Sequence, residues 1–515
     1  MKSESSNTVS VWMATADLPQ APALDADLKT DVCVVGAGID GLTTAYLVAK
    51  QGREVIVLER ASLGSGETSR TTAHLSYVID DGFQEIERLH GVEWLRLHVQ
   101  SHQSAIGTIE KIVREESIDC DFTRLDGYLF APDERAADYI QKELEAAQRA
   151  HIKDFERVDR TPLPFHTGSA LRFPDQAQFH SLKYVSGLLR ALGRLGTQIF
   201  SHTAVEKIED GDSVRVHTAT GHVVTCSAGI IATNSPINDI VAIHTKQAPY
   251  RTYALGARIA KNSVPMALYW DTEDPYHYVR LQPMVDHDVL IVGGEDHKTG
   301  QGNPNASFAK LEKWARDRFA NISAIEFKWS GQVLEPVDLV AFIGRNPCDK
   351  HVYIAAGDSG MGMTHGTIAG VLLTELILGH RNLWAELYDP SRKTIRAAPE
   401  FLKENMNVAA QYREWITGGD VATTDELPQG EGAVLRSGSK KFAVYSDPNG
   451  VLHACSAVCT HLGCLVAWNS LEKSWDCPCH GSRFDAMGRV LNGPAVRDLE
   501  SINLEEVTRQ TDCVA

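Results

Sequence analysis

The chain has 515 residues, more than one average domain holds and enough for two or three with sizeable cores. Its formal net charge of −17 argues against nucleic acid as a partner, because binding phosphates takes an excess of Lys and Arg. No run is long or apolar enough to span a bilayer and the N-terminus lacks an apolar signal-peptide core, so a soluble, cytoplasmic protein with no membrane span is expected.

Residues 1–28 are polar and irregular and read as an N-terminal extension. Asp31-Val-Cys-Val-Val35 then reads as a buried parallel strand running directly into Gly36-Ala-Gly38-Ile-Asp-Gly41. A helical pattern through Leu42, Ala45, Tyr46 and Ala49 follows, and a second strand, Glu54-Val-Ile-Val-Leu58, ends at Glu59. This is the G-x-G-x-x-G fingerprint in the context a dinucleotide site requires, strand before and helix after. Gly36 makes the tight turn, Gly38 admits a pyrophosphate beside the backbone, and Gly41 lets helix and sheet pack closely. The helix N-terminus stabilises the diphosphate charge, and Glu59 is placed to hydrogen-bond an adenosine ribose.

Small hydroxyl residues fill Gly64-Ser-Gly-Glu-Thr-Ser-Arg-Thr-Thr-Ala73, and a strand is predicted at Thr203-Ala-Val205. Another strand enters a turn at Ala228-Gly-Ile-Ile-Ala-Thr-Asn-Ser-Pro236, and strand, Gly-rich turn and helix follow from Val352 to Gly379. In this order the blocks resemble the D-amino-acid oxidase/glycine oxidase family of FAD-dependent amine oxidoreductases, over roughly residues 29–385. The resemblance implies an α/β fold in which a Rossmann-like FAD-binding domain joins an antiparallel-sheet substrate domain. It implies that Glu59 and Arg60 hold the adenosine ribose, that Ser69, Arg70, Thr71 and Thr72 line the pyrophosphate and flavin, and that Val205 touches the adenine. Ala232, Thr233 and Asn234 belong to the same site, together with Gly357 and Asp358. Gly360, Met361, Gly362, Met363 and Thr364 face the flavin ring and ribityl chain on the same resemblance. No strand with a terminal acid follows the second Gly-rich turn, so nothing obvious binds NAD(P)H and electrons are expected from a substrate oxidised at the flavin.

Residues 84–117 look helical and amphipathic and serve packing. Tyr276-His-Tyr-Val-Arg-Leu281 alternates as a strand, of the kind that roofs the flavin in the family. Alternation puts Tyr276, Tyr278 and Arg280 on one face and His277 on the other. Tyr278 and Arg280 are therefore candidate catalytic residues, Arg280 for a substrate carboxylate, with a structural arginine as the alternative. His365, in the turn expected to border the flavin, is the third candidate. His74 follows the Thr-rich segment, where some relatives attach FAD covalently; a hydrogen-bonding histidine is the alternative for both residues.

Residues 386–428 read as a helical arm and linker, and 429–515 as short strands separated by turns such as Asp447-Pro-Asn-Gly450, a small all-β domain. Five of the ten cysteines lie between Cys455 and Cys479, a clustering that points to a metal site. Cys459-Thr-His-Leu-Gly-Cys464 and Cys477-Pro-Cys-His-Gly-Ser482 each present a thiolate and an imidazole, which suits a [2Fe–2S] cluster with Cys on one iron and His on the other. Cys₂His₂ is also a zinc set, although a C-x-H pair is not the usual zinc-finger spacing. The loops resemble those of a Rieske domain of the disulfide-containing kind found in cytochrome bc-type complexes. On that resemblance Cys459 and Cys477 ligate one iron, His461 and His480 the other, and Cys464 pairs with Cys479. A cytoplasmic disulfide would be unusual. Asn492-Gly-Pro-Ala495 resembles the third Rieske loop, and Phe484 stands where high-potential relatives carry a tyrosine that donates to a ligand sulfur.

Flavin accepts two electrons as hydride and a [2Fe–2S] cluster passes them singly, so their union suggests a two-to-one converter. The expected function is oxidation of the C–N bond of a small amine or amino acid, with electrons leaving through the cluster to an external one-electron acceptor. Direct reoxidation by oxygen would make it an oxidase. The alternative is a flavin/Rieske electron-transfer protein serving a partner oxygenase or reductase. A hydroxylating Rieske oxygenase needs a mononuclear iron held by two His and a carboxylate, for which the sequence offers no convincing set.

Overall fold

A computed structural model describes residues 8–132, 137–238, 243–415 and 417–504. The strand predicted at Asp31–Val35 runs from Leu28 to Val35 and lies inside an eight-stranded sheet in the order 342–345, 352–356, 223–231, 28–35, 55–58, 198–200, with 205–209 and 214–218 attached beyond 223–231. Strands 28–35, 55–58, 198–200, 223–231 and 352–356 run parallel, and their apolar runs are buried because helices and a β-hairpin layer cover the two faces. Register places Val35 beside Leu58 on one side and Ile231 on the other. The fingerprint turn, Glu59 and Ala232 therefore emerge at one edge, where open parallel sheets bind ligands.

Two glycines hold this edge together. Gly36 has φ +108°, and a Cβ there would lie 2.3 Å from the Ala232 carbonyl oxygen. A Cβ on Gly41 would lie 2.0 Å from Gly36 O, so helix Ile39–Lys50 can rest on the turn only without it. Helix Gly362–Ile377 crosses that helix closely, where Gly370 leaves room for Thr43. The amphipathic stretch predicted over 84–117 forms two helices, Phe83–His90 and Val92–Glu115, broken at Gly91 with φ +90°.

The second sheet has nine strands, in the order 324–336, 247–259, 288–298, 277–283, 268–271, 123–130, 170–178, 74–75, with 156–158 beyond 170–178. It is antiparallel except that Leu268–Asp271 runs parallel to Thr123–Phe130, a pairing made after the chain has passed through the parallel sheet. One face packs on helix Pro304–Arg318. The C-terminal region forms two small antiparallel sheets, 432–437/440–446/452–456 and 467–469/474–476/483–485/490–492, around buried Trp475 and Phe484. The architecture matches the expected class, α/β with a largely antiparallel second sheet plus a small all-β unit. No helix among the described residues is long and apolar enough to cross a membrane.

The β unit docks through a buried charge. Glu472 is 1% exposed and receives Thr8 Oγ1 at 2.8 Å, the Ser330 hydroxyl, and the guanidiniums of Arg251 at 3.4 Å and Arg70 at 3.6 Å. Burial pushes this carboxyl up, but Arg70, Arg251 and Arg483 outweigh it and hold it at about 2, so it stays ionised.

Candidate functional site

One cavity runs along the edge of the parallel sheet and under the antiparallel one, with about 1880 Å³ of empty space including its mouth. Gly36, Gly38, Glu59, Arg60 and Val205 line one end. Glu59 accepts from Ala37 N at 2.8 Å and Ala61 N at 3.0 Å; burial raises its carboxyl, which those N–H groups partly offset. Gly38 caps its helix with no side chain, leaving that end open to an anion. The middle is lined by Arg70, Thr71, Thr72, Ala232, Thr233 and Asn234, and the far side by Asp358, Gly360, Met361, Gly362 and Met363. Thr68, one residue before the predicted segment, also lines it and accepts from Ile39 N at 3.1 Å. The donor groups and the glycine cradle fit a dinucleotide such as FAD.

Several predicted residues stand behind this lining. Gly41 serves helix packing, Ser69 ties its hydroxyl to Gly66 O, Gly357 turns the chain beneath, and Thr364 bonds His102. Arg280 faces the side expected of it but does not line the cavity. Its guanidinium donates to Thr72 O, Ala73 O, Phe179 O and Gln282 Oε1 at 2.8–3.2 Å, bracing the segment that does. Fully buried and outside the lining, it fits the structural arginine of the alternative reading. His365 is also outside the lining, its Nδ1 donating to Asp358 O at 2.7 Å.

Tyr276 and Tyr278 line the roof, while His277 points to the opposite face, against Asp271 and stacked on Trp314. Tyr278 sits in the space opposite Gly293, where a Cβ would lie 2.2 Å from its ring. Its hydroxyl meets Thr252 Oγ1 at 2.9 Å, and Tyr276 donates to Asp80 Oδ2 at 2.8 Å. Sequence reasoning missed the acids here: Asp80, Asp296 and Glu335 line this end. Asp80 and Asp296 touch the cavity space yet are ringed by protein, and burial raises their carboxyls to about 6 and about 7. Asp296 Oδ1 has no hydrogen-bond partner among the described residues. His74 also lines the cavity, bonded to Thr72 Oγ1 at 3.1 Å, and burial lowers it to about 3.

The two Cys/His loops share one backbone geometry. Cys459 N donates to Cys464 O and Gly463 N to Cys459 O; Cys477 N donates to Ser482 O and Gly481 N to Cys477 O. Gly463 and Gly481 take the same place in each turn, at φ +75° and +79°. Cys464 and Cys479 form a disulfide with Cα atoms 6.4 Å apart, while Cys459 and Cys477 are free thiols. The rings of His461 and His480 meet edge to face with centroids 4.9 Å apart. Two thiols and two imidazoles at one tip are the donors a Rieske cluster needs. Ser482 hydrogen-bonds Cys459, whose thiol is lowered to about 7 chiefly by Cys477. A hydrogen bond worth about 1 kcal/mol corresponds to roughly 40 mV for one electron. Ser482→Ala should therefore lower the cluster potential by that order, read in an EPR-monitored titration.

The cavity and the tip meet. Leu491, Asn492 and Gly493 of the β unit form part of the cavity wall. Gln332 lines the cavity and donates its amide to Gly481 O at 2.9 Å, next to His480. Glu67 accepts from Gln332 N at 2.7 Å and Asn492 Nδ2 at 2.9 Å. His244 packs its ring 4.9 Å from that of His461 and 6.1 Å from that of His480. On the other side, Tyr412 donates to Leu462 O and Trp415 Nε1 to Gly463 O, so the segment after helix Ala398–Gln411 clasps the first loop.

Residues 31–376 match the family described as FAD dependent oxidoreductase, and residues 418–503 the Rieske [2Fe-2S] domain. The protein YhfW of Bacillus subtilis (strain 168) is 31% identical over 96% of this chain and 97% of its own. Gamma-glutamylputrescine oxidoreductase of Escherichia coli (strain K12) is 26% identical over 72% of this chain and 89% of its own. Glycine oxidase from Geobacillus kaustophilus shares the fold at TM-score 0.60 and 17% identity, covering 71% of this chain and 99% of that one. The chain therefore belongs to the FAD dependent oxidoreductase family and carries a Rieske [2Fe-2S] domain, with FAD and a [2Fe–2S] cluster as its cofactors.

Proposed function

We propose that the protein oxidises the C–N bond of a small cationic amine and releases the electrons, through its Rieske domain, to an external one-electron acceptor. The observation that carries the substrate class is the acid-lined end of the cavity. Asp80, Asp296 and Glu335 line it, whereas the lining guanidiniums, Arg60 and Arg70, belong to the stretches expected to hold the cofactor's ribose and pyrophosphate. Burial pushes the Glu335 carboxyl well up and so keeps it neutral, whereas Asp80, raised only to about 6, stays ionised at neutral pH and would repel a substrate carboxylate and attract an ammonium.

When bound, FAD supplies the hydride acceptor and the cluster supplies one-electron transfer. The chain's own residues position and deprotonate the substrate. Asp296 Oδ1, unpartnered among the described residues and raised to about 7 by burial, accepts the ammonium proton, since only the neutral amine gives up hydride. Asp80, held by Tyr276, keeps a second negative charge near the ammonium, and Tyr278 closes the roof above. The junction formed by Gln332, Asn492 and the Gly481 carbonyl supports electron exit within one chain.

Asp296 ionises as pH rises through about 7, so anaerobic flavin bleaching by an amine should accelerate from pH 6 to 8. Asp296→Asn should slow bleaching on the order of 10²-fold and flatten that rise. The test is stopped-flow mixing with an amine panel and, separately, with NADH. Bleaching by NADH but by no amine would favour an electron-transfer protein and overturn the proposal.

A further inference from the structure

Behind the turn that lines the cavity, three imidazoles converge. His98 and His102 lie one turn apart on helix Val92–Glu115, and His365 lies near the start of helix Gly362–Ile377. Their exposures are 0%, 0% and 2%. Ring centroids are 4.5 Å apart for His98 and His102, 4.6 Å for His102 and His365, and 5.9 Å for His98 and His365.

Hydrogen bonding fixes the tautomers of two of them. His365 Nδ1 faces the Asp358 carbonyl oxygen, which only accepts, so Nδ1 carries the proton and Nε2 a lone pair. His102 Nδ1 meets Thr364 Oγ1 at 2.9 Å, and that hydroxyl donates to Met361 O, so His102 also donates from Nδ1 and keeps a lone pair on Nε2. Both Nε2 atoms are buried without a hydrogen-bond partner among the described residues, as are both nitrogens of His98. Leaving so many buried nitrogens unsatisfied is costly. An imidazole that donates one nitrogen to a carbonyl or hydroxyl and aims the other inward is the arrangement that orients a metal ligand.

We propose that His98, His102 and His365 form a three-imidazole site for a divalent late first-row transition metal of the zinc class. One ligand nitrogen from each lies within 4.8 Å of the others. Ligand nitrogens on a tetrahedral ion sit roughly 3.3 Å apart, so binding draws the three rings closer, and His98, which has no hydrogen-bond partner among the described residues, is the freest to turn. Burial holds all three neutral, the ligating form, so binding releases no proton. The fourth position is left to water. The ion would pin helix Val92–Glu115 to the turn whose residues Asp358 and Gly360 to Met363 line the cavity, a positioning role separate from the flavin and the iron.

The test uses holoprotein with flavin absorbance and cluster EPR signal intact. Elemental analysis should find about one equivalent of zinc-class metal per chain beyond the cluster iron. After chelation under conditions that spare both cofactors, added Co²⁺ should develop the visible bands of a nitrogen-ligated tetrahedral ion. His98→Leu should abolish those bands. Thr364→Val keeps every imidazole but frees His102, and should weaken Co²⁺ binding ~10–100-fold. Should His98→Leu fold poorly, the wild-type spectrum and Thr364→Val decide alone. Wild-type protein that neither holds such a metal nor develops bands with Co²⁺, or bands that survive unchanged in both variants, would overturn the site.

Discussion

Cys459→Ala should erase the reduced-cluster EPR signal while leaving the yellow flavin absorbance, and acceptor-linked turnover should fall at least about 100-fold, beyond the loss typical of an outer-shell change. Cys459 is one of two free thiols at the tip, and its loop is held by its own backbone turn and by the Cys464–Cys479 disulfide. If Cys459 is a ligand, as the resemblance implies, losing its thiol removes one without removing the loop's framework. The cavity's dinucleotide residues lie at the edge of the parallel sheet and in the turns beside it, outside this loop. Anaerobic bleaching by an amine should consequently survive, since taking hydride requires the cavity alone. His480→Ala should reproduce both results from the other iron. If acceptor-linked turnover persisted in cluster-free protein, the Rieske domain would not be the exit.

Glu472→Ala should destabilise the protein by about 3–5 kcal/mol, the cost of stranding buried guanidiniums without their partner. Arg251 is 1% exposed and Arg70 5%, so neither reaches solvent when the carboxylate is gone. Thermal unfolding should show the loss, whereas Glu500→Gln, an exposed control, should stay within about 0.5 kcal/mol of wild type. The same carboxylate sets a pH dependence. Its folded value of about 2 lies below its unfolded value, so its contribution is complete above the unfolded value and is lost as pH falls from there toward 2. Glu472→Ala should therefore unfold with a weaker acid dependence than wild type.

What the sequence disclosed was local chemistry. The fingerprint Gly36–Gly41 and the loops at 459–464 and 477–482 are legible because a few adjacent residues carry all their constraints. The matched turns even explain Gly463 and Gly481, one at the same step of each loop. Long-range partnerships were not legible. Glu472 meets Arg70 and Arg251 only after three distant segments pack, and no local spacing announces a buried ion pair. Arg280 shares a strand face with Tyr278, but alternation gives a face and not a reach, and the backbone carbonyls it braces come from two other segments. Asp80 and Asp296 look like ordinary surface charges until Tyr276 and the roof enclose them. His98 and His102 are visible as one helical face, yet their convergence with His365 depends on helix packing.

The most direct test of intrachain transfer is an anaerobic single turnover with a bleaching amine, followed by freeze-quench EPR at protein concentrations spanning about tenfold. Transfer across the Gln332–Gly481 junction gives a reduced-cluster signal whose rate constant does not change with protein concentration. A rate that climbs in proportion to concentration, or a bleached flavin beside a cluster that stays oxidised, would contradict it.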